Sequence, residues 1–195
     1  GVLPVVASGE ASPETSDDFT DVVVVDLAGK GRGDCSVTGT LGAQFLLWEY
    51  ATAFAGYLLE LNPFDQPDVE SAKIAARGLL DQQPTPPTPD VEFGQTKVWL
   101  NRDSVSSVTD APSAWAAIVS ELGPSSYLAL QLYADRLDVG DTASLRDAVA
   151  ARCGRPVTVG FGPRFLHSTG QFHKGGTPDG VFVQVEVVAD AAIDI

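Results

Sequence analysis

"YLALQLYADRLDVGDTASLRDAVAARCGRPVTVGFG", Tyr127 to Gly162, is the stretch that decides the fold. "YLALQLYA" is an almost unbroken apolar and aromatic run of strand length, and "PVTVGFG" is a second. Between them "TASLRDAVAARCG" has the composition of a helix, with Gly154 placed to close it in a left-handed conformation. The alternation continues outward on both sides. "TKVWL" reads as a strand, "APSAWAAIVSEL" as a helix capped by Asp110 with Pro112 in its first turn, and "VFVQVEVV" as a closing strand. Strands alternating with short helices predict an α/β fold with a mainly parallel sheet. No internal repeat is visible.

Further toward the N-terminus, "DVVVVDL" (Asp21 to Leu27) is a β-branched run expected to form a strand buried on both faces. The glycine-rich "AGKGRGD" after it is expected to be a loop. Its Arg32-Gly33-Asp34 matches an adhesion tripeptide, a reading that an acidic, intracellular-looking chain disfavours. "LGAQFLLWEYATAFAGYLLEL" (Leu41 to Leu61) is apolar on nearly every face and is expected to be a helix buried in the interior of the domain. Glu49 and Glu60 interrupt it, so it falls short of the roughly 20 apolar residues of a membrane span.

"NPFDQPDVESAKIAARGLLDQ" predicts a second helix. Asp65 or Gln66 is placed to cap it, Pro67 suits the first turn, and Asp68 and Glu70 suit the positive end of the dipole. Gln66 and Lys73 share one face seven residues apart, an arrangement that fits an anion at the helix N-terminus. Pairing of Lys73 with Glu70 at i, i+3 is the plainer alternative. "QQPTPPTPD" has four prolines in nine residues and reads as a stiff connector. The expected division is therefore 1–82, a Pro-rich connector at 83–95, and a smaller C-terminal α/β unit at 96–195.

A net charge of −14 argues against nucleic acid or an anionic membrane as partner, since a polyanion is repelled by the mean field. Cys35 and Cys153 fit no zinc or redox spacing and are expected to be reduced thiols. The chain has no methionine and its first residues lack the pattern of a signal peptide. It is read as a cytoplasmic piece of something longer.

Against this acidity, "GPRFLHSTGQFHKGG" (Gly162 to Gly176) gathers both histidines, His167 and His173, with Arg164 and Lys174. It should form a loop at the C-terminal end of a strand, where open α/β sheets bind ligands. A metal site from His167, His173 and Asp179 has the wrong spacing for a ligand pair. A Ser168–His167 nucleophile lacks any elbow pattern. A phosphate-binding, proton-transferring loop suits the glycines, the Ser168 and Thr169 hydroxyls, the two cations and a histidine that titrates near neutrality. A solvated loop with no chemistry is equally compatible with the residues alone.

Two segments resemble glucose-6-phosphate isomerases. "GYLLELNPFDQPDVESAK" is similar to that family's G-x-x-L-x-I-N-P-F-D-Q-P-x-V-E-x-x-K, and "LHSTGQ" to its L-H-S-x-G-Q. The wider "GPRFLHSTGQFHKGG" resembles the form found in transaldolase/glucose-6-phosphate isomerase fusions, and "GVLPVV" the residues just after the family's E-S-x-G-K motif. The order differs from ordinary bacterial members, in which the histidine segment precedes the lysine segment.

The resemblance implies a layered sugar-isomerase (SIS-like) fold and interconversion of glucose 6-phosphate and fructose 6-phosphate through an enediolate. Lys73 and His167 would be catalytic and Gln66, Ser168 and Gln171 substrate-binding, with His173 and Lys174 as neighbours. The glutamate that moves the proton would lie upstream. No cofactor or metal is implied. The implied partners are the sugar phosphate, the N-terminal half of the same enzyme, and a second subunit. The alternative is a non-catalytic sugar-phosphate sensor of the same fold.

Overall fold

A computed structural model describes residues 3–5, 12–16, 18–27, 29, 33–65, 67–82, 84–100, 108–162, 167 and 169–188. In chain order the elements are β1 (Val25–Asp26), β2 (Cys35–Ser36), α1 (Leu41–Leu58), α2 (Pro67–Gln82), β3 (Val91–Phe93), β4 (Thr96–Val98), α3 (Ala111–Val119), β5 (Tyr127–Tyr133), α4 (Thr142–Cys153), β6 (Val157–Phe161), α5 (Thr169–Gly175) and β7 (Gly180–Glu186). The architecture is mixed α/β. Its largest sheet is parallel, of order β6-β5-β7; a short parallel β1-β2 pair and a β3-β4 antiparallel hairpin are separate two-stranded sheets.

The parallel sheet explains the core. Register aligns Val157, Leu128 and Val181 in one row and Val159, Leu130 and Val183 in the next. Because strand side chains alternate between faces, both rows point the same way. Trp115 and Ile118 of α3 and Val149, Ala150 and Cys153 of α4 pack against them. Leu128, Ala150 and Val157 are fully buried there. The other face carries Tyr127, which meets Phe172 and His173 of α5, so α5 covers the side opposite α4. Strand order accounts for this. From β5 the chain steps to β6 on one side, and from β6 it steps back across β5 to β7. Right-handed crossovers in opposite directions put their helices on opposite faces.

The helix ends follow the sequence chemistry. The Asp110 carboxylate accepts from Ser113 N at 2.9 Å, and the Ser113 hydroxyl answers at the Asp110 backbone, a reciprocal capping box. Hydrogen bonding by Ser113 holds the Asp110 carboxyl below its ordinary pKa. Asp141 caps α4 through Ala143 N and Ser144 N, and Gly154 closes α4 at φ 64°.

Helix α1 departs from expectation. It begins on Thr40, which accepts from Ala43 N. It ends with Glu60 at φ 55°, where Leu61 N bonds to Gly56 O at 2.8 Å and Glu60 N to Tyr57 O at 3.2 Å. This is the two-bond left-handed stop usually made by glycine. Its body is not buried, however. Phe45 is 63% exposed, Phe54 65% and Tyr57 80%, and of the helix only Gly56 is buried, where Pro63 closes on it. The expected interior position is wrong for this chain because no described element packs along the apolar faces.

Three other expectations are corrected. Within "DVVVVDL" only Val25–Asp26 is strand, and Val23 is 73% exposed, because among the described residues its strand partner is the two-residue β2 alone. "TKVWL" joins an antiparallel hairpin instead of the parallel sheet. The loop expected at 162–176 turns into α5 from Thr169. The adhesion tripeptide's Asp34 is spent internally, accepting from Val24 N at 2.8 Å; Arg32 lies outside the described residues.

Candidate functional site

Between β5 and β6, whose outgoing connections turn to opposite faces, lies a cavity of about 520 Å³. That switch in direction is where an open α/β sheet leaves a crevice beyond its strand ends, and the volume suits a small-molecule ligand. Gln131 of β5, Thr158 and Gly160 of β6, and Thr142 and Ala143 of the first turn of α4 line it. His167 enters from the connection after β6, and Thr169, Gly170 and His173 from α5.

Arg146 closes the wall beside β6. It is 4% exposed and bound through both terminal nitrogens to Glu14, with the nearer contact short and the other, Nη2 to Oε2, at 3.1 Å. It also contacts Asp147 and donates to Val157 O at 3.3 Å. Burial works against its charge, but Glu14 and then Asp147 outweigh burial and hold the guanidinium above its ordinary pKa. Its positive charge is thus consumed within the protein, and among the described residues the cavity wall presents mainly hydroxyl, amide and imidazole groups.

The second imidazole is strongly placed. Tyr127 Oη and His173 Nδ1 are 2.8 Å apart, and the two rings stack with centroids 5.5 Å apart. Phe182 meets both rings edge-on. Burial, with Lys174 adding to it, lowers the His173 pKa from 6.5. Burial, with the charge of Asp179, raises that of Tyr127. At neutral pH the pair is an uncharged phenol on an uncharged imidazole.

The structure brings the two sequence motifs together. Helix α2, which begins at Pro67, packs on α5, with Gln171 Nε2 donating to Asp68 Oδ2 at 3.1 Å. Gly175 lies so close that a Cβ there would strike the Asp68 carboxylate. Lys73, two turns along α2, is exposed, with Nζ 3.7 Å from Glu70, the i, i+3 pair weighed from sequence. It does not line the cavity, whereas His167 does. Gln66, Ser168 and Arg164 lie outside the described residues. His167, His173 and Asp179 do not converge into a metal-binding group; none is present among the described residues. Cys35 and Cys153 are free, and burial raises the pKa of the Cys153 thiol. No helix among the described residues is long and apolar enough to cross a membrane.

Sequence reasoning missed Tyr127, Arg146 and Glu14. Tyr127 was legible only as a strand residue and Arg146 only as a helical cation. Glu14 gave no signal, since its partner lies 132 positions away.

Part of this chain is similar to glucose-6-phosphate isomerases. Over 44 residues, 23% of the chain, it is 59% identical to the glucose-6-phosphate isomerase of Mycoplasmopsis pulmonis and covers 10% of that protein. Over 44 residues it is 46% identical to that of Prochlorococcus marinus subsp. pastoris, covering 8%. The chain thus matches about a tenth of the length of these curated relatives. No family model and no solved structure matches it.

Proposed function

We propose that this chain is the C-terminal part of an aldose–ketose isomerase that interconverts glucose 6-phosphate and fructose 6-phosphate. The observation that carries this reading is the Gln171–Asp68 hydrogen bond. It joins the NPFDQP helix, of the segment resembling the isomerase lysine motif, to the helix that follows His167. Similarity over 44 residues to two glucose-6-phosphate isomerases supports the same class.

In this reading the cyclic sugar opens as His167 and Lys73 deliver and remove protons at the ring oxygen and the C1 hydroxyl. An upstream glutamate then carries the proton between C1 and C2 of the enediolate. A positioned donor at the developing oxyanion contributes about 3 kcal/mol. Gln66 and Ser168 contact the substrate, and Gln171 acts there or by holding Asp68. The reaction uses no cofactor. The surrounding fold is SIS-like and divides at 1–82, 83–95 and 96–195. The parent is a cytoplasmic homo-oligomer of the transaldolase-fusion type. The N-terminal half covers α1, whose exposed apolar faces have the composition of an interior helix. The chain alone is inactive.

Lys73→Ala and His167→Asn in the parent enzyme are each expected to lower isomerase turnover by about a hundredfold or more. Near-normal turnover in either variant removes that residue from the site. A sugar-phosphate sensor is the outcome if the parent binds 5-phosphoarabinonate in calorimetry but shows no turnover and carries no E-S-x-G-K segment upstream of Gly1.

A further inference from the structure

His173 has a task that neither its sequence context nor the relatives assign. Its Nδ1 is taken by Tyr127, and Nε2 makes no hydrogen bond among the described residues although the ring lines the cavity. The direction of the Tyr127 bond follows from proton counting. Tyr127 is 6% exposed, and its hydroxyl has no other hydrogen-bond partner among the described residues. The phenol proton therefore goes to Nδ1, and a neutral imidazole accepting at Nδ1 carries its own proton on Nε2.

We infer that His173, fixed in the Nε2–H tautomer by Tyr127, is a ligand-contacting donor that hydrogen-bonds an oxygen of the polyhydroxylated portion of the cavity's ligand. Three observations narrow the chemistry to that portion and not to a bare phosphate. Arg146, the Lys or Arg side chain among the described residues of the wall, is neutralised by Glu14 and Asp147. His173 donates as a neutral group. The remaining lining contributes Thr142, Thr158 and Thr169 hydroxyls and the Gln131 amide. These are partners for hydroxyl groups, each of which both donates and accepts. Tyr127 is a positioning residue in this scheme: it reaches the ligand only through the imidazole. Among the described residues, the charged and titratable groups around the pair are Lys174 on the same helix, Asp179 before β7, Asp68 of α2 against Gln171 and Gly175, and His167 and Arg146, which line the same cavity. Of these, Lys174 reinforces the neutral state of the imidazole. The ligand class rests on the isomerase reading, whereas the tautomer does not.

The test uses this chain with ¹⁵N-labelled histidine, where two imidazoles are assigned by His173→Phe. Long-range proton–nitrogen spectra at pH 7.5 are expected to show His173 with Nδ1 unprotonated and Nε2 protonated, and Tyr127→Phe to lose that preference while His167 stays unchanged. Adding 5-phosphoarabinonate is expected to shift His173 Nε2, and equal inorganic phosphate is not. His173→Phe, which keeps an aromatic ring against Tyr127 and Phe182, should weaken 5-phosphoarabinonate binding about fivefold, the effect of one hydrogen bond. A His173 in the Nδ1–H tautomer overturns the inference. So does a shift produced equally by inorganic phosphate, or the absence of any His173 shift with 5-phosphoarabinonate. Failure of the isomerase reading is seen separately, as missing turnover in the parent enzyme.

Discussion

The Glu14–Arg146 pair offers a quantitative test of what anchors the N-terminal turn to the core. Glu14 lies in the 3₁₀ turn Pro13–Thr15, and both its side chain and that of Arg146 are 5% exposed. Glu14→Gln keeps the shape and removes the charge, leaving a guanidinium buried beside Asp147 and Val157 O. Breaking a buried pair from one side costs about 3–5 kcal/mol. Asp147 still balances part of the charge, and the glutamine oxygen can still accept one bond, so the expected loss is at the lower end, about 3 kcal/mol. Against a total stability of about 5–15 kcal/mol that is large. For a chain of this size it corresponds to a Tm lower by about 6–12 °C. Urea unfolding followed by tryptophan fluorescence reads it directly, since Trp115 packs on the core cluster. Arg146→Met alone should also destabilise, by stranding Glu14. The double variant Glu14→Gln/Arg146→Met should recover to within about 1 kcal/mol of the parent chain, because neither charge is then left alone. A Glu14→Gln loss of less than about 0.5 kcal/mol, or simple additivity of the two substitutions, would show that the pair does not anchor the turn.

Two further expectations follow from the same core and its titrating edge. Leu128→Ala removes a fully buried side chain at the centre of the sheet and should cost about 3 kcal/mol in the same urea assay; a loss below about 1 kcal/mol would show that the sheet collapses freely around the gap. His173 has a folded pKa below 6.5, so the unfolded chain binds a proton that the folded chain resists. Its contribution is fully present above pH 6.5 and is lost as pH falls from there through the lower folded value. The slope of stability against pH in that window should flatten in His173→Phe, and an unchanged slope would assign the acid sensitivity elsewhere.

Elements whose chemistry is short-range can be read from the residues alone. Asp110 with Ser113, Asp141 with Ser144, Gly154 at its left-handed stop and the apolar run of β5 each act on neighbours within a few residues. The α/β alternation and the helix boundaries were legible for that reason. So was the placement of His167 after a strand end, where the cavity opens. The remaining features depend on which distant surfaces meet. "DVVVVDL" has the composition of a central strand, but strand length depends on a partner, and β2 supplies two residues of one. The apolar faces of α1 specify a helix without specifying what covers it. Glu14 and Arg146 are 132 positions apart and Tyr127 and His173 are 46 apart, and no local pattern encodes either pair. The opposite-face placement of α4 and α5 brings His173 over Tyr127, and that packing turns two ordinary residues into a fixed tautomer facing a cavity.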